Sequence, residues 1–376
     1  ISAAFTHIAR LREHGAVVVS LDIPSGVDAT TGRAEHAVRA DLTICFGHFK
    51  RGLLARRDLS GEIVLVDIGL GHDLPERVPS FVDAAFVRHA LPPINALAYK
   101  GTRRRLLIVG AAPGMAGASV LAARGAQRSG IGMLRFCAHP DSATALQVAC
   151  PEAVTLHWPA ADPVATALDW PNALLIGPGF GVDPGARARA HAWLHRWRGP
   201  IVVDADVFSA FAGDAASLGT HLRGRPAVAT PHVAEAARIL GIPVDDVLSD
   251  PYAAATRLAS ALDSVVLLKG VPTLVAAPDG RLAVVARGTP ALGTAGSGDV
   301  LAGIIGTLLA QEVDAFEAAA SAAWIHGRAA EIAGTGRPLR GVTLSDVVGA
   351  LGEAWRLPRE FPGPGELAAL PRVGEG

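Results

Sequence analysis

The feature that most constrains the fold is a series of short apolar runs, each followed by a loop rich in glycine or acidic residues. The run LLIVGAA begins at Leu106, and ALLIGPGFG, PIVVDAD, PAVATPH and SVVLLKG come after it, with helix-like segments between most of them. A run without polar alternation is typical of a strand buried on both faces. Strands that alternate with helices predict an α/β fold with a doubly wound, mostly parallel sheet.

Two segments depart from this alternation. The stretch TLVAAPDGRLAVV, from Thr273 onwards, predicts a β-hairpin turning at Pro278–Asp279–Gly280, which adds an antiparallel edge. An alanine-rich region from Asp299 to about Gly334 predicts helix, with a break near Glu312–Val313–Asp314.

Composition and the positions of proline and glycine divide the chain into four parts. Residues 1–74 form a partial Rossmann-like α/β domain, and residues 75–95, which carry prolines and few periodic apolar positions, read as a linker. Residues 96–357 carry the regular alternation. Residues 358–376 are rich in proline and glycine, so we expect a loose tail.

Charge and metal-ligand patterns exclude several classes of function. The formal net charge is −1, which leaves no basic excess for nucleic acid or a membrane surface. The apolar run Val300–Ala310 covers about half of a membrane span. The cysteines stand apart without a CxxC pair, as in a reduced cytoplasmic protein. His191 and His195 form an HxxxH pair without a glutamate, which we interpret as a surface pair.

Unusual short motifs gather at one predicted rim of the sheet. In doubly wound sheets, ligands bind beyond the carboxyl ends of the strands. The loops expected there are Ala111–Gly117, Gly177–Gly181, Asp204–Asp206, Thr230–Glu235, Lys269–Thr273 and Gly293–Asp299. Their shared position predicts one ligand site.

The loop before the alanine-rich helix has the composition of an anion site. Gly296, Ser297 and Gly298 can turn successive N–H groups inward at a helix N-terminus, which suits phosphate. Asp299 follows in the first turn. From the residues alone it is either a helix-capping acid or a general base beside the anion site.

The other rim motifs are individually weaker. Lys269 and Gly270 end a buried strand, and His232 opens a helix, where a structural role is as compatible as ligand binding. The GPGFG loop around Gly179 lacks the GxGxxG spacing, so we predict no dinucleotide fingerprint there. Asp204 and Asp206 are either strand-end acids or ligands of a cation or water.

These motifs, in this order, resemble the NAD(P)H-hydrate dehydratase family, a branch of the ribokinase-like small-molecule kinases. The matching pieces span residues 96–357 and include LLIVGAAPGMAGASVLAARGAQRSGIGML, TPHVAE, LKGVPT and GTPALGTAGSGDVLAGIIGTLLAQ. The resemblance implies a ribokinase-like fold. It also implies repair of hydrated NADH or NADPH by ADP- or ATP-dependent dehydration with Mg²⁺, through phosphorylation of the added hydroxyl and loss of phosphate.

The resemblance also implies roles for single residues. It makes Asp299 the catalytic acid–base group that touches the hydrate, beside an anion hole of Gly296, Ser297 and Gly298. Gly298 also contacts the nucleotide. The implied nucleotide-binding turn comprises Lys269, Gly270, Val271, Pro272 and Thr273, and the implied hydrate contacts are Ala118, Gly179 and His232.

The chain departs from the family pattern at several positions, none of which removes a proposed chemical group. Tyr99 stands where the family usually has His, and Arg104 where it has Gly. Val233 and Ala234 replace the usual Pro-Gly, which bears on the placement of His232.

The first 74 residues resemble the end of an NAD(P)H-hydrate epimerase domain, which bacteria often fuse ahead of the dehydratase. Asp22 then matches a substrate-contacting acid and Ser25 a residue of a potassium site. The glycine- and asparagine-rich loop of the epimerase is absent from this sequence, so we expect an exposed sheet edge and no epimerase activity from this chain.

Three alternatives remain for the whole chain: the dehydratase, a vitamin or sugar kinase on the same fold, and a nucleotide-sensing module without catalysis. For the first we expect a cytoplasmic homo-oligomer, with a tetramer as one candidate form, and either ADP or ATP as the nucleotide, ADP being favoured. Its partners would be hydrated NADH or NADPH and the adenine nucleotide.

Overall fold

The computed structural model describes residues 2–69, 78–158, 167–357 and 366–373. The strands are β1 (Val19–Leu21), β2 (Leu42–Phe46), β3 (Glu62–Val66), β4 (Ser80–Phe81), β5 (Arg105–Val109), β6 (Met133–Ala138), β7 (Val154–His157), β8 (Ala173–Ile176), β9 (Ile201–Val203), β10 (Ala227–Ala229), β11 (Val265–Leu268), β12 (Thr273–Ala276), β13 (Leu282–Val285) and β14 (Glu366–Leu370).

The α-helices lie between them in sequence. They are α1 (Ser2–Glu13), α2 (Arg51–Ala55), α3 (Arg57–Ser60), α4 (Ala84–Ala90), α5 (Ala116–Arg128), α6 (Ala143–Ala149), α7 (Ala186–Arg196), α8 (Asp206–Ala210), α9 (Ala215–Leu222), α10 (Val233–Leu240), α11 (Val244–Ser249), α12 (Pro251–Leu262), α13 (Ser297–Ala310), α14 (Ala315–Gly334) and α15 (Leu344–Ala354).

Ten strands form one large sheet in the order β4-β13-β12-β11-β10-β9-β8-β5-β6-β7. The neighbours from β11 to β7 are parallel, and β12 is antiparallel to both β11 and β13. This confirms the predicted doubly wound sheet and its hairpin. The chain order reverses between β5 and β8, and such a switch point opens a crevice at the carboxyl ends of the strands.

The apolar runs are buried because both faces of the sheet are covered. Leu106 and Ile108 of β5 point into one layer of the core, and Leu107 and Val109 point into the other. Helices α5, α13, α14 and α15 cover the first face, whereas α7, α9, α10 and α12 cover the second. This two-sided burial is the physical reason for the absence of polar alternation in the sequence.

Helix α13 lies unusually close to α5. A β-carbon placed on Gly303 would be 1.9 Å from the carbonyl oxygen of Ala122, and one on Gly125 would be 2.2 Å from that of Val300. The contact therefore depends on glycine on both helices. It fixes the N-terminus of α13, where the predicted anion site lies.

The segment expected to be a linker contributes to the large sheet instead. Ser80–Phe81 pairs in parallel with β13, and the following helix α4 packs on α14. Val82 and Val87 are fully buried. This segment has too few apolar positions to show a period. What orders it is distant in the chain, as in the bond from the Val82 N–H to the carbonyl oxygen of Val284, and sequence periodicity does not report such partners.

The tail also differs from the sequence interpretation. Glu366–Leu370 pairs antiparallel with β3, which gives a small sheet in the order β1-β2-β3-β14. The outer strand β1 shows the expected exposed edge, with Val19 at 48% and Leu21 at 66% exposure. The edge of β3, in contrast, is covered by the tail.

The predicted helix from Asp299 to Gly334 is confirmed as two helices, α13 and α14, with the break at the expected place. In the described parts of the chain, no helix combines the length and the apolar character needed to cross a bilayer.

Candidate functional site

The N-terminus of α13 has the geometry of an anion cradle. Gly296 adopts the left-handed conformation at φ +89° as the N-cap residue, and its position carries no side-chain cap. The first-turn N–H groups of the helix are thus left without a capping side chain, and the helix dipole adds positive potential there. Asp299 is the third helical residue, not the cap. The capping interpretation of Asp299 is therefore wrong.

Lys269 brings an ammonium group to this cradle. A β-carbon on Gly298 would lie 3.0 Å from Lys269 Nζ, so the two residues are in contact. Lys269 Nζ donates to Asp204 Oδ1 at 2.7 Å, and the Thr230 hydroxyl donates to the same oxygen at 2.7 Å. Burial opposes the charge of Lys269, but the carboxylates of Asp204 and Glu235 raise its pKa above the ordinary value. The lysine is thus held as a cation beside the cradle.

The Asp299 carboxyl is poised between its two protonation states. Burial is the main cause that raises its pKa to about 7, and the Asp204 carboxylate raises it further, while Lys269 opposes the shift. Asp206 and Glu235 contribute in the same direction as Asp204. A carboxyl that titrates near neutral pH can accept or return a proton under ordinary conditions.

His232 caps helix α10 through a reciprocal capping box. Its Nδ1 accepts from the N–H groups of Ala234 and Glu235, and Glu235 Oε2 accepts from the His232 N–H at 2.8 Å. Burial raises the Glu235 pKa to about 7, and burial followed by Lys269 lowers the pKa of His232. The Val233 and Ala234 departures therefore leave His232 well placed at the rim.

The crevice between β5 and β8 holds the two other predicted hydrate contacts. Gly179 has φ +62°, and its carbonyl oxygen accepts from the N–H of Ala112 at 2.7 Å. Ala118 lies half-buried in the first turn of α5. Asp206 Oδ2 accepts from the N–H of Gly181 at 2.9 Å, which links this crevice to the acidic groups around Asp299.

A cavity of about 540 Å³ opens on the other side of the cradle. Its walls include the five residues Lys269–Thr273, together with His232, Ser297 and Gly298. Asp299, Ala118 and Gly179 are not among the described residues that line it. The predicted site residues thus fall into two groups: one lines the cavity and includes Ser297 and Gly298 of the cradle, and the other lies at the start of α5 and in the loop after β8.

The cavity also contains residues that the sequence interpretation missed. His326 of α14, Arg287 at the end of β13 and Arg57 of α3 all line it. Burial, followed by Lys269, lowers the pKa of His326 to about 4, so its imidazole is neutral. Glu331 pairs with Arg287 and accepts from the N–H of Gly288 at 2.9 Å. No local motif marks these residues, because they come from three distant segments.

The residues matched to the epimerase, Asp22 and Ser25, lie apart from this site. They belong to the part of the chain that carries β1, β2 and β3, which we call the small unit. The Asp22 carboxylate, at the end of β1, is bonded by the Lys50 ammonium and by the N–H of Phe46. Lys50 thus neutralises the charge of Asp22, the residue matched to a substrate contact. The match of Ser25 to a potassium site stays a prediction, and we derive no step through potassium. Within the described ranges, no group of three or more His, Cys, Asp or Glu side chains could hold a metal ion. Of the HxxxH pair noted in the sequence, His191 contacts His221, with 2.8 Å between their ring nitrogens.

The chain is similar to two described protein families. Residues 106–350 match the family described as NAD(P)H-hydrate dehydratase, and residues 1–52 match the family described as YjeF-related protein N-terminus. The bifunctional NAD(P)H-hydrate repair enzymes Nnr of Vibrio cholerae and Escherichia coli are each 34% identical, over 91% and 90% of this chain and 69% and 65% of their own lengths. That of Salinibacter ruber is 38% identical over 89% of this chain and 65% of its own length. The chain thus spans about two thirds of these relatives.

Solved structures agree on the fold. A ribokinase-like superfamily protein from Enterococcus faecalis, 22% identical, superposes with a TM-score of 0.66 over 77% of this chain and 100% of its own. An ADP/ATP-dependent NAD(P)H-hydrate dehydratase from Bacillus subtilis, co-crystallised with ATP and Mg²⁺, is 28% identical, with a TM-score of 0.65 over 75% of this chain and 99% of its own. The ribokinase-like fold is confirmed, and the chain belongs to the NAD(P)H-hydrate dehydratase family.

Proposed function

We propose that this chain dehydrates hydrated NADH or NADPH, of the 6S form, to the normal cofactor with the help of an adenine nucleotide. The observation that carries the proposal is the Asp299 carboxyl, with a pKa of about 7, at the start of a helix whose N-terminus and neighbouring Lys269 attract anions. A base and an anion site in direct succession are what phosphoryl transfer to a hydroxyl requires.

The two groups of site residues accommodate two ligands. The nucleotide occupies the cavity beside Lys269–Thr273, with its phosphates at Gly296, Ser297 and Gly298. The hydrate occupies the switch-point crevice at Ala118 and Gly179, within reach of His232. Mg²⁺ would come with the nucleotide rather than be held by a cluster of His, Cys, Asp or Glu side chains among the described residues, and it would neutralise phosphate charge there.

Asp299 removes the proton from the added hydroxyl. The hydroxyl oxygen bonds to the terminal phosphorus while the bond to the bridging oxygen breaks, so ADP leaves as AMP, or ATP as ADP. In the second step the carbon–oxygen bond breaks and phosphate departs with the bonding pair. The neighbouring carbon then loses a proton, which restores the double bond of the dihydronicotinamide ring.

Lys269 and the cradle stabilise the charge that develops during transfer. Because both are fixed before the nucleotide arrives, little reorganisation accompanies the reaction. The role of Lys269 is thus wider than that of a turn residue: Asp204, which also accepts from the Thr230 hydroxyl, holds the Lys269 ammonium beside Gly298.

The test is recovery of NADH absorbance when the chain is mixed with hydrated NADH, Mg²⁺ and either ADP or ATP. We expect recovery with release of one phosphate for each NADH formed, and faster recovery with ADP. If no NADH forms and another small alcohol becomes phosphorylated, the chain is a small-molecule kinase. Binding of nucleotide without either reaction would leave only the sensing module.

The remaining expectations stay predictions. They are a cytoplasmic location, a tetrameric assembly and the lack of interconversion between the two hydrate epimers by this chain.

A further inference from the structure

Ala286 and Arg287, which follow β13 and form part of the cavity wall, are contacted from two sides. Gly327 of α14 lies so close that a β-carbon there would be 2.6 Å from the carbonyl carbon of Arg287. On the opposite side, Arg57 of the small unit donates to the carbonyl oxygen of Ala286 at 3.0 Å. The same guanidinium donates to the carbonyl oxygen of Pro371 in the tail. The end of β13 therefore lies between the large domain and the small unit.

Buried nitrogen atoms without partners gather at this cavity. Arg57 Nε, Arg287 Nε and His326 Nε2 are inaccessible to solvent and have no hydrogen-bond partner within the described residues. Arg57 is 3% exposed and His326 5% exposed, and all three residues line the cavity. Buried polar groups are nearly always bonded in folded proteins, so such an exception needs an explanation. The three side chains line one cavity and bring nitrogen donors to its wall, which suits a ligand that supplies acceptor atoms.

The charges and the size of the cavity indicate what that ligand is. Arg57 faces the like charge of Arg287 and the carboxylate of Glu331, which pairs with Arg287. One cation in this group is thus left without a carboxylate of its own. The cavity volume of about 540 Å³ lies in the range of pockets for nucleotide-sized ligands. A diphosphate seated on the cradle would leave room for the rest of a nucleotide.

We propose that Arg57, from the epimerase-like unit, is a nucleotide-binding residue of the dehydratase site. It contacts the ribose and base of the nucleotide together with His326, while the cradle holds the phosphates. This inference rests on the proposed function and extends it. The small unit then has a second role that does not depend on its own chemistry: together with Leu54 and with Val373 of the tail, it forms one wall of the neighbouring active site.

The test is calorimetric titration of the full chain with ADP and, separately, with inorganic pyrophosphate, which probes the cradle alone. In Arg57→Met we expect ADP to bind about tenfold more weakly, because a charge-assisted hydrogen bond is lost. Pyrophosphate affinity should not change. The control is Arg12→Met, which removes an arginine of the same unit that bonds Asp41 and Arg39 away from the cavity.

Two results with Arg57→Met, and one with the unchanged chain, would overturn the proposal. One is unchanged ADP affinity in Arg57→Met. The other is an equal loss of ADP and pyrophosphate binding, because that pattern would mean that Arg57 only supports the cavity wall at Ala286. An unchanged chain that binds neither ADP nor ATP overturns it as well.

A second variant covers the case in which Arg57→Met does not fold. Val373 is half-exposed at the wall of the cavity, so Val373→Trp fills space without disturbing the core. We expect this variant to weaken ADP binding and to leave pyrophosphate binding unchanged, and unchanged ADP binding contradicts the proposal. Since these readouts need no turnover, a failure of dehydration in the unchanged chain counts against the proposed function alone.

Discussion

Asp299 joins two properties that ordinarily conflict, since partial burial raises the pKa of its carboxyl and yet the carboxyl must be ionised to act as a base. Replacing it by asparagine keeps the shape of the side chain and removes the base. We expect Asp299→Asn to lower kcat by about 10²–10⁴-fold, with ADP affinity within a factor of about two. Steady-state assay and calorimetry measure the two quantities separately. Loss of ADP binding in step with activity would assign Asp299 to the nucleotide instead.

The pH dependence of turnover follows from the same carboxyl. Because the pKa of Asp299 is raised to about 7, mainly by burial, the ionised base increases as the pH rises through neutrality. We expect kcat to rise between pH 6 and pH 8 and to level off above that range. A profile that is flat across these values, with the nucleotide saturating throughout, would mean that another group accepts the proton.

Stability should show the opposite trend. The ordinary pKa of the Asp299 carboxyl is 3.8, and in the folded chain it is about 7. Between these values the folded state binds more protons, so this stabilising contribution is complete below 3.8 and is lost as the pH rises through about 7. Asp299→Asn should therefore be more stable than the unchanged chain at pH 8, by about 1–2 kcal/mol. Urea unfolding at pH 5 and pH 8 tests this, and the difference between the two chains should shrink at pH 5.

The element that positions Asp299 is α13, and its contact with α5 can be tested by a matched pair of glycines. Gly303→Ala would place a β-carbon 1.9 Å from the Ala122 carbonyl oxygen, so we expect a loss of about 1–3 kcal/mol of unfolding free energy. Gly349, in α15, has no atom within 4 Å of such a β-carbon. Gly349→Ala should stabilise the chain by about 0.5–1 kcal/mol through helix propensity.

Denaturant unfolding of the two variants side by side provides the measurement. We also expect Gly303→Ala to weaken pyrophosphate binding, because the cradle moves with the helix. Equal stability of the two variants would show that the α13–α5 contact accommodates the added β-carbon without loss of unfolding free energy.

Elements whose signal is local could be predicted from sequence, and those whose partner is distant could not. The runs at Leu106 and Val265 carry their own evidence of burial, since both faces of the sheet are covered. Ser80–Phe81 and Glu366–Leu370 become strands only because β13 and β3 offer them an edge. The same limit applies to the site: the cradle is one contiguous motif, whereas Arg57 and His326 meet only in the folded chain.

At the scale of the whole molecule, the small unit and the tail form one structure. Leu370 is 1% exposed and belongs to the core shared with the large sheet. We expect Leu370→Ser to increase amide exchange in Leu42–Phe46 and Glu62–Val66, because β14 no longer protects that sheet. Exchange in Arg105–Val109 should change much less.

The matched control is Val182→Ser, which changes a residue that is 71% exposed and should leave exchange unaltered in both sheets. Uniformly faster exchange throughout Leu370→Ser would mean that the small and large sheets unfold as a single cooperative unit.

The bond between Arg57 and Pro371 joins residues separated by 314 positions in the chain. During synthesis, β3 therefore emerges from the ribosome long before the strand that covers its outer edge. Throughout that interval the open edge of β3 is available to other extended chains, and the wall that includes Val373 does not yet exist. Contacts of such long sequence separation form late and slowly. Until β14 and Val373 are in place the cavity lacks part of its wall, so we expect ADP to bind such an incompletely folded chain more weakly than the folded one.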